Sequence, residues 1–238
     1  MLQGIKAVLF DLDGTLRYNS PSYAQLFDDY VSGLDGVLNT QENRRRAMRW
    51  EHHYWAGAPD YMADREAYGE DEGGFWTNYD RRRMIAFGFH PERAAALALQ
   101  VQQYMTTYKP VDMLYPDAIQ TLVVLGQRGL KVGLVSNRQK SIDELLAKLG
   151  LSEHLAFSVI SGEANASKPD PAIFVHALHR SNTAPQETVY VGDNYFADVV
   201  GARRAGLHPV LFDPLHIFDE PGCPVVSGLA QVNSLLEG

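Results

Sequence analysis

"VLFDLDGTL", residues 8–16, begins as an apolar run and stops on two aspartates one residue apart. The run is short and unbroken, the pattern of a strand buried on both faces of a parallel sheet. Asp11 and Asp13 stand at its end, and Gly14 and Thr15 follow. Two carboxylates this close repel, and a strand end offers little water to screen them. A positive partner is therefore expected between or beside them.

Four more runs have the same look: 131–135 (KVGLV), 156–160 (AFSVI), 188–191 (TVYV) and 208–212 (HPVLF). Helical patterns separate them. Residues 116–127 start on Pro116, read as a first-turn proline. Residues 139–149 place Ile142, Leu145, Leu146 and Leu149 at helical spacing, and 171–180 and 198–205 are two further helices. Alternating strands and helices predict an α/β fold, a parallel Rossmann-like sheet with helices on both faces. Residues 213–224, with three prolines, read as a surface connection before a last short helix.

Between residues 18 and 108 the alternation stops, and no good strand is legible. Phe27, Tyr30, Val31 and Leu34 share one helical face, Ala47, Trp50 and Tyr54 a second, and Leu97, Val101, Tyr104, Met105 and Tyr108 a third. This stretch holds all three Trp, 16 of the 25 aromatic residues, nine of the 15 Arg and none of the six Lys. It reads as an inserted all-helical domain, 18–108, within a core made of 1–17 and 109–238.

A net charge of −8 argues against general affinity for nucleic acid or anionic membrane. No apolar stretch approaches the ~20 residues that span a bilayer. The first ten residues lack a signal-peptide pattern, so a cytoplasmic location is expected. One cysteine, Cys223, leaves no internal disulfide and no cysteine-rich zinc site.

Ligands of open α/β sheets bind beyond the carboxyl ends of the strands. Each candidate strand ends on a useful group there: Asp11 and Asp13; Ser136 and Asn137; Lys168 in "SKPDPAIF"; Asp193 and Asp198 in "GDNYFAD". Carboxylates suit Mg²⁺, which keeps several waters and takes a substrate phosphate oxygen. Lysine and serine suit the remaining phosphate oxygens, and the Gly14–Thr15 turn exposes backbone N–H groups to an anion. A carboxylate can also attack phosphorus. Asp198 reads equally well as a helix cap, and Ser136–Asn137 as a helix cap that also binds an anion.

In these four ordered motifs the chain resembles the haloacid dehalogenase superfamily of aspartate-nucleophile hydrolases, with a helical cap inserted between the first and second motifs. The resemblance covers the first strand and most of 110–212. It implies that Asp11 is a nucleophile forming an aspartyl-phosphate and that Asp13 protonates the leaving oxygen and then activates water. Asp11, the main-chain carbonyl of Asp13, and Asp193 would hold Mg²⁺. Ser136, Asn137 and Lys168, with the Gly14–Thr15 turn, would bind the phosphoryl group, and Asp198 would assist the metal or orient Lys168. Members that cleave carbon–halogen or carbon–phosphorus bonds typically lack an aspartate at the position of Asp13, so its presence favours phosphate esters. The expected activity is a Mg²⁺-dependent phosphatase for a small phosphorylated metabolite. A phosphomutase shares these motifs, and a binding protein that lost turnover is the reading from another class.

In the insertion, Arg44–Arg46 and Arg81–Arg83 read mainly as solvated helix faces, with at most one or two of the six contacting the substrate. Trp50, Trp55 and Trp76 read as bundle core. His52 and His53 point about 100° apart on a helix and are poor joint metal ligands. The loop 17–20 and the stretch 52–55 are the other candidates for substrate contact.

Overall fold

The computed structural model describes residues 2–34 and 39–236. The chain divides into two compact units, Met1–Tyr18 with Asp112–Gly238, and Asn19–Val111.

The first unit is a six-stranded parallel sheet in the order β5-β4-β1-β6-β7-β8. Its strands are β1 (Ala7–Phe10), β4 (Lys131–Ser136), β5 (Phe157–Ile160), β6 (Thr188–Gly192), β7 (His208–Phe212) and β8 (Val225–Val226). Alternate residues of the central strands feed two cores. Val8 and Phe10 join Leu134, Val191, Leu122 and Val232 on one face. Leu9 joins Val135, Tyr190, Phe174 and Ala202 on the other. The helices α6 (Ala118–Gln127) and α11 (Val232–Leu235) serve the first face; α9 (Pro171–Ser181) and α10 (Val200–Arg204) serve the second. Both faces of β1 are thus dry, which is why its sequence is apolar without alternation. No helix among the described residues is long and apolar enough to cross a membrane.

Several expected elements differ. Pro116 lies in a turn closed by Ala118 N donating to Tyr115 O, ahead of α6, where proline's fixed φ suits the turn's second residue. Of 139–149 only α7 (Asp143–Lys148) is helical. The preceding loop is tied instead to α8 (Ser161–Ala164): Gly162 N donates to Arg138 O, and a Cβ on Gly162 would lie 1.9 Å from Gln139 O. The strands β2 (Arg17–Ser20) and β3 (Val111–Leu114) pair in a small second sheet across which the chain passes between the units. The polar Arg17–Ser20 and the short, half-exposed Val111–Leu114 give no strand pattern in the sequence. The connection 213–224 is not wholly surface. Asp213 is buried and accepts from Ile217 N at 2.8 Å and Phe218 N at 3.0 Å.

The second unit is helical: α1 (Tyr23–Ser32), α2 (Gln41–Trp55), α3 (Pro59–Tyr68), α4 (Glu72–Phe87) and α5 (Pro91–Met105). Phe27, Val31, Ala47, Met84, Phe87, Leu97 and Val101 form one core. Tyr54, Phe75 and Tyr79 form a second, flanked by the partly buried Trp50, Trp55 and Trp76. The arginine runs are not solvated faces throughout. Arg83 is fully buried and pairs with Glu51 and Asp28. Arg82 pairs with Asp64 at 2.9 Å and Asp60 at 3.0 Å. Arg46 donates to Ala86 O at 2.6 Å and Phe87 O at 3.0 Å, satisfying carbonyls at the end of α4.

Asp80 in this unit is fully buried and accepts from the Tyr23 hydroxyl at 2.5 Å, while its Oδ2 has no hydrogen-bond partner. Burial pushes its carboxyl up to about 7, opposed by the Tyr23 hydrogen bond and the Arg83 charge and aided by Glu51. The folded state therefore holds this proton more tightly than the unfolded chain, and stability is lost as pH rises from about 4 to about 7. The loss amounts to at most about 4 kcal/mol. Asp80→Asn is expected to remove this contribution, so that the variant gains on the wild type between pH 5 and pH 8 in thermal unfolding. Parallel pH profiles for the two proteins would assign the titration to other groups.

Candidate active site

The register of the sheet assembles the site. Phe10 is level with Leu134 of β4 and Val191 of β6. Extended by two residues, that register puts Ser136 and Asp193 level with position 12, between the two aspartates of the opening stretch. Carboxylate oxygens of Asp11, Asp193 and Asp198 lie within 4.8 Å of one another.

Lys168 is the buried cation among them. Its ammonium donates to Asp11 Oδ1 at 2.5 Å, Asp198 Oδ1 at 2.7 Å and the Tyr190 hydroxyl at 3.0 Å. Burial would lower its pKa, but the Asp11 and Asp198 charges outweigh burial and hold it well above its ordinary value. Asn137 fixes the backbone beneath it. Its Oδ1 accepts from Lys168 N at 2.7 Å and its amide donates to Lys168 O at 3.0 Å. Both polar atoms of this side chain are used on Lys168.

Asp198 is not a helix cap. That role belongs to Asn194, whose Oδ1 accepts from Phe196 N and Ala197 N, both at 3.0 Å, at the start of the π-turn Tyr195–Val199. Asp198 Oδ1 receives Lys168, and its Oδ2 receives Asn194 N at 2.9 Å. Asp193 accepts from Thr15 Oγ1 at 3.1 Å. The close approach of their two loops requires glycine at position 14. There φ is +97°, and a Cβ would lie 2.4 Å from Asp193 Oδ2.

The charge balance is unequal. Burial pushes Asp11 well above its ordinary value, against the Lys168 charge and with help from Asp198, Asp193 and Asp13. Burial, then the Asp198 charge, pushes Asp193 up to about 7. An all-oxygen donor set with excess negative charge fits a hard divalent cation.

Asp13 stands apart from this cluster. Arg138 forks onto it, Nε to Oδ2 at 2.7 Å and Nη2 to Oδ1 at 2.8 Å. Arg17 Nη1 lies 2.9 Å from the same Oδ1 and 3.3 Å from Asp112. Partial burial raises the Asp13 carboxyl, but the Arg138 hydrogen bonds and the Arg138 and Arg17 charges hold it below its ordinary value. Arg138 and Tyr190 were not among the residues expected from sequence, and Arg17 was expected only as part of the loop 17–20, not as a partner of Asp13. Arg138 had a signal, since it lies two residues beyond Ser136 on the rim where the motifs meet.

A family model for haloacid dehalogenase-like hydrolases matches residues 5–206. The chain belongs to the haloacid dehalogenase-like hydrolases. It is 32% identical over 225 residues to a phosphoserine phosphatase of Thermus thermophilus, covering 88% of this chain and 89% of that one. It is 32% identical over 214 residues to a ribulose-1,5-bisphosphate 5-phosphatase of Halopiger xanaduensis, covering 87% and 84%. Its fold is similar to a crystal structure of a haloacid dehalogenase-family phosphatase from Thermococcus onnurineus, with a TM-score of 0.57, 23% identity and 97% of each chain covered.

Proposed function

We propose that this hydrolase is a Mg²⁺-dependent phosphatase that cleaves a small phosphate monoester through an aspartyl-phosphate on Asp11. The observation that carries the reading is Lys168 bridging Asp11 and Asp198 beside Asp193 and the Gly14–Thr15 turn. Asp11 attacks phosphorus with the oxygen that Lys168 does not hold. Lys168, Ser136 and the backbone N–H groups of the turn and of Asn137 take the phosphoryl oxygens, where charge accumulates. Asp198 acts through Lys168 and positions it. Asp13 donates a proton to the leaving oxygen and then takes one from the water that opens the acyl phosphate. Asp11, Asp193 and the main-chain carbonyl of Asp13 would hold Mg²⁺, whose charge would offset that of the phosphoryl oxygens.

The family relatives named above are phosphatases of phosphoserine and of ribulose 1,5-bisphosphate, and a small phosphorylated metabolite is the substrate class here. The helical unit Asn19–Val111, inserted after the first strand, is the substrate-selecting cap. Phosphate release from an aryl phosphate and from a panel of phosphorylated metabolites, with Mg²⁺ and with chelator, tests the reading. Metal-dependent release is expected. Its absence from every ester would overturn the phosphatase assignment.

Asp13→Asn separates the acid from the nucleophile. Loss of a general acid costs about 10²–10⁴-fold, and an activated aryl leaving group needs little protonation. In kcat/KM, which reports formation of the aspartyl-phosphate and not its hydrolysis, the variant is expected to lose at least about 10²-fold on an alkyl phosphate and less than about tenfold on an aryl phosphate. Equal losses on the two would argue against an acid at this position.

A further inference from the structure

The fork between Arg138 and Asp13 bears on which substrates this site accepts. Asp13 Oδ2 accepts from Arg138 Nε, whereas Oδ1 is shared between Arg138 and Arg17. An oxygen already accepting a guanidinium N–H is not placed to carry a proton to a leaving group. Turnover by the mechanism proposed above therefore requires Arg138 to let go of Oδ2. Leaving a guanidinium unpaired beside a phosphoryl site is unfavourable unless another anion takes the fork. The Arg138 and Asp13 side chains are 37% and 40% exposed, so an incoming ligand can reach the pair. Arg17, at 6%, cannot be reached in the same way.

We propose that Arg138 is a specificity residue that changes partner during turnover. A second anionic group on the substrate takes the guanidinium fork now occupied by Asp13 and so frees Asp13 Oδ2 for the leaving oxygen. The Asp13 carboxylate stands where that substrate anion will bind, since a guanidinium fork matches carboxylate and phosphate alike. The substrate class is thus a phosphate monoester bearing a carboxylate or a second phosphate. This inference rests on the phosphatase reading and deepens it.

Two substrate pairs isolate the second anion. Phosphoserine and phosphoethanolamine differ by one carboxylate, and fructose 1,6-bisphosphate and fructose 6-phosphate by one phosphate. The wild type is expected to favour the more anionic member of at least one pair in kcat/KM, and the favoured pair identifies the anion. Arg138→Met is expected to reduce that preference by about 10- to 100-fold, the worth of a charged bidentate contact. Arg138→Lys keeps the charge without the fork and is expected to restore part of it. A merely structural arginine would lower both members of a pair together. No preference in the wild type, or a preference unchanged in Arg138→Met, overturns the inference while leaving the phosphatase reading intact. A wild type that releases phosphate from no ester overturns both.

Discussion

Asp11→Asn is expected to abolish turnover, by about 10⁴-fold or more, while the protein remains folded. Removing the attacking atom of a covalent mechanism leaves only the rate enhancement of binding and charge stabilisation. An amide oxygen neither attacks phosphorus well nor holds a hard cation as a carboxylate does. The fold tolerates the change because Asp11 is one of three carboxylates crowded within 4.8 Å. Asparagine keeps an oxygen to accept Lys168, and Lys168 keeps Asp198 at 2.7 Å. The substitution also removes a charge that burial and its acidic neighbours already disfavour. Steady-state phosphate release should fall to background, and the melting temperature should match or exceed that of the wild type. Acid-quenched wild type mixed with substrate should carry one added phosphoryl group by intact mass, and the variant none. A variant with measurable turnover, or a wild type with no covalent adduct under rapid quench, would remove Asp11 from the nucleophile's role.

The parts of this site that were legible in the sequence share a physical cause. β1, β4 and β6 are buried on both faces, so each had to be an apolar run, and a charged or hydroxyl residue at its end had to mark the rim. Asp11, Ser136 and Asp193 were found in that way, and the register of the sheet brings them together. Partnerships were less legible than positions. Nothing in "GDNYFAD" tells which acidic or amide group caps the turn; the structure gives Asn194 the cap, and of the roles open to Asp198 it shows the contact with Lys168. The same limit hid Arg83. A run of three arginines on a helix reads as solvent-facing, but one side of α4 faces Glu51 and Asp28, so the third arginine is buried as an ion pair. β2 and β3 escaped because their pairing is long-range and neither shows a buried apolar face: β2 is largely polar, and β3 leaves Val111 and Met113 exposed. Arg138 was on the page as part of "SNR", yet its importance depends on Asp13, 125 positions away in sequence.

Lys168→Met is expected to be both inactive and less stable, and the pattern of its instability identifies the charges around it. The three donors of the ammonium contact Asp11, Asp198 and Tyr190 in this structure, one of them must turn to the phosphoryl group for the role proposed above, and the side chain is buried. Losing a donor aimed at a reacting oxyanion costs about 10²–10³-fold in rate. Here the nucleophile loses its positioning contact as well, so a fall of about 10³-fold or more is expected. Methionine fills much of the volume, so the destabilisation is mainly electrostatic. Breaking a buried pair by removing one partner costs about 3–5 kcal/mol, because the other charge stays buried without compensation. In Lys168→Met, Asp11 and Asp193, already raised by burial in the wild type, lose an opposing positive charge and can relieve that cost by binding a proton, which lifts their folded-state pKa further. Stability is then lost as pH rises through the raised folded-state value. The variant should therefore be nearer to wild type at pH 5 than at pH 8 in denaturant unfolding. Added Mg²⁺ should recover part of the deficit at pH 8, since a divalent cation among Asp11, Asp193 and their neighbours supplies the missing charge. A deficit equal at both pH values and indifferent to Mg²⁺ would mean that the lysine contributes packing alone. The reading of these carboxylates as a cation site would then lose its physical basis.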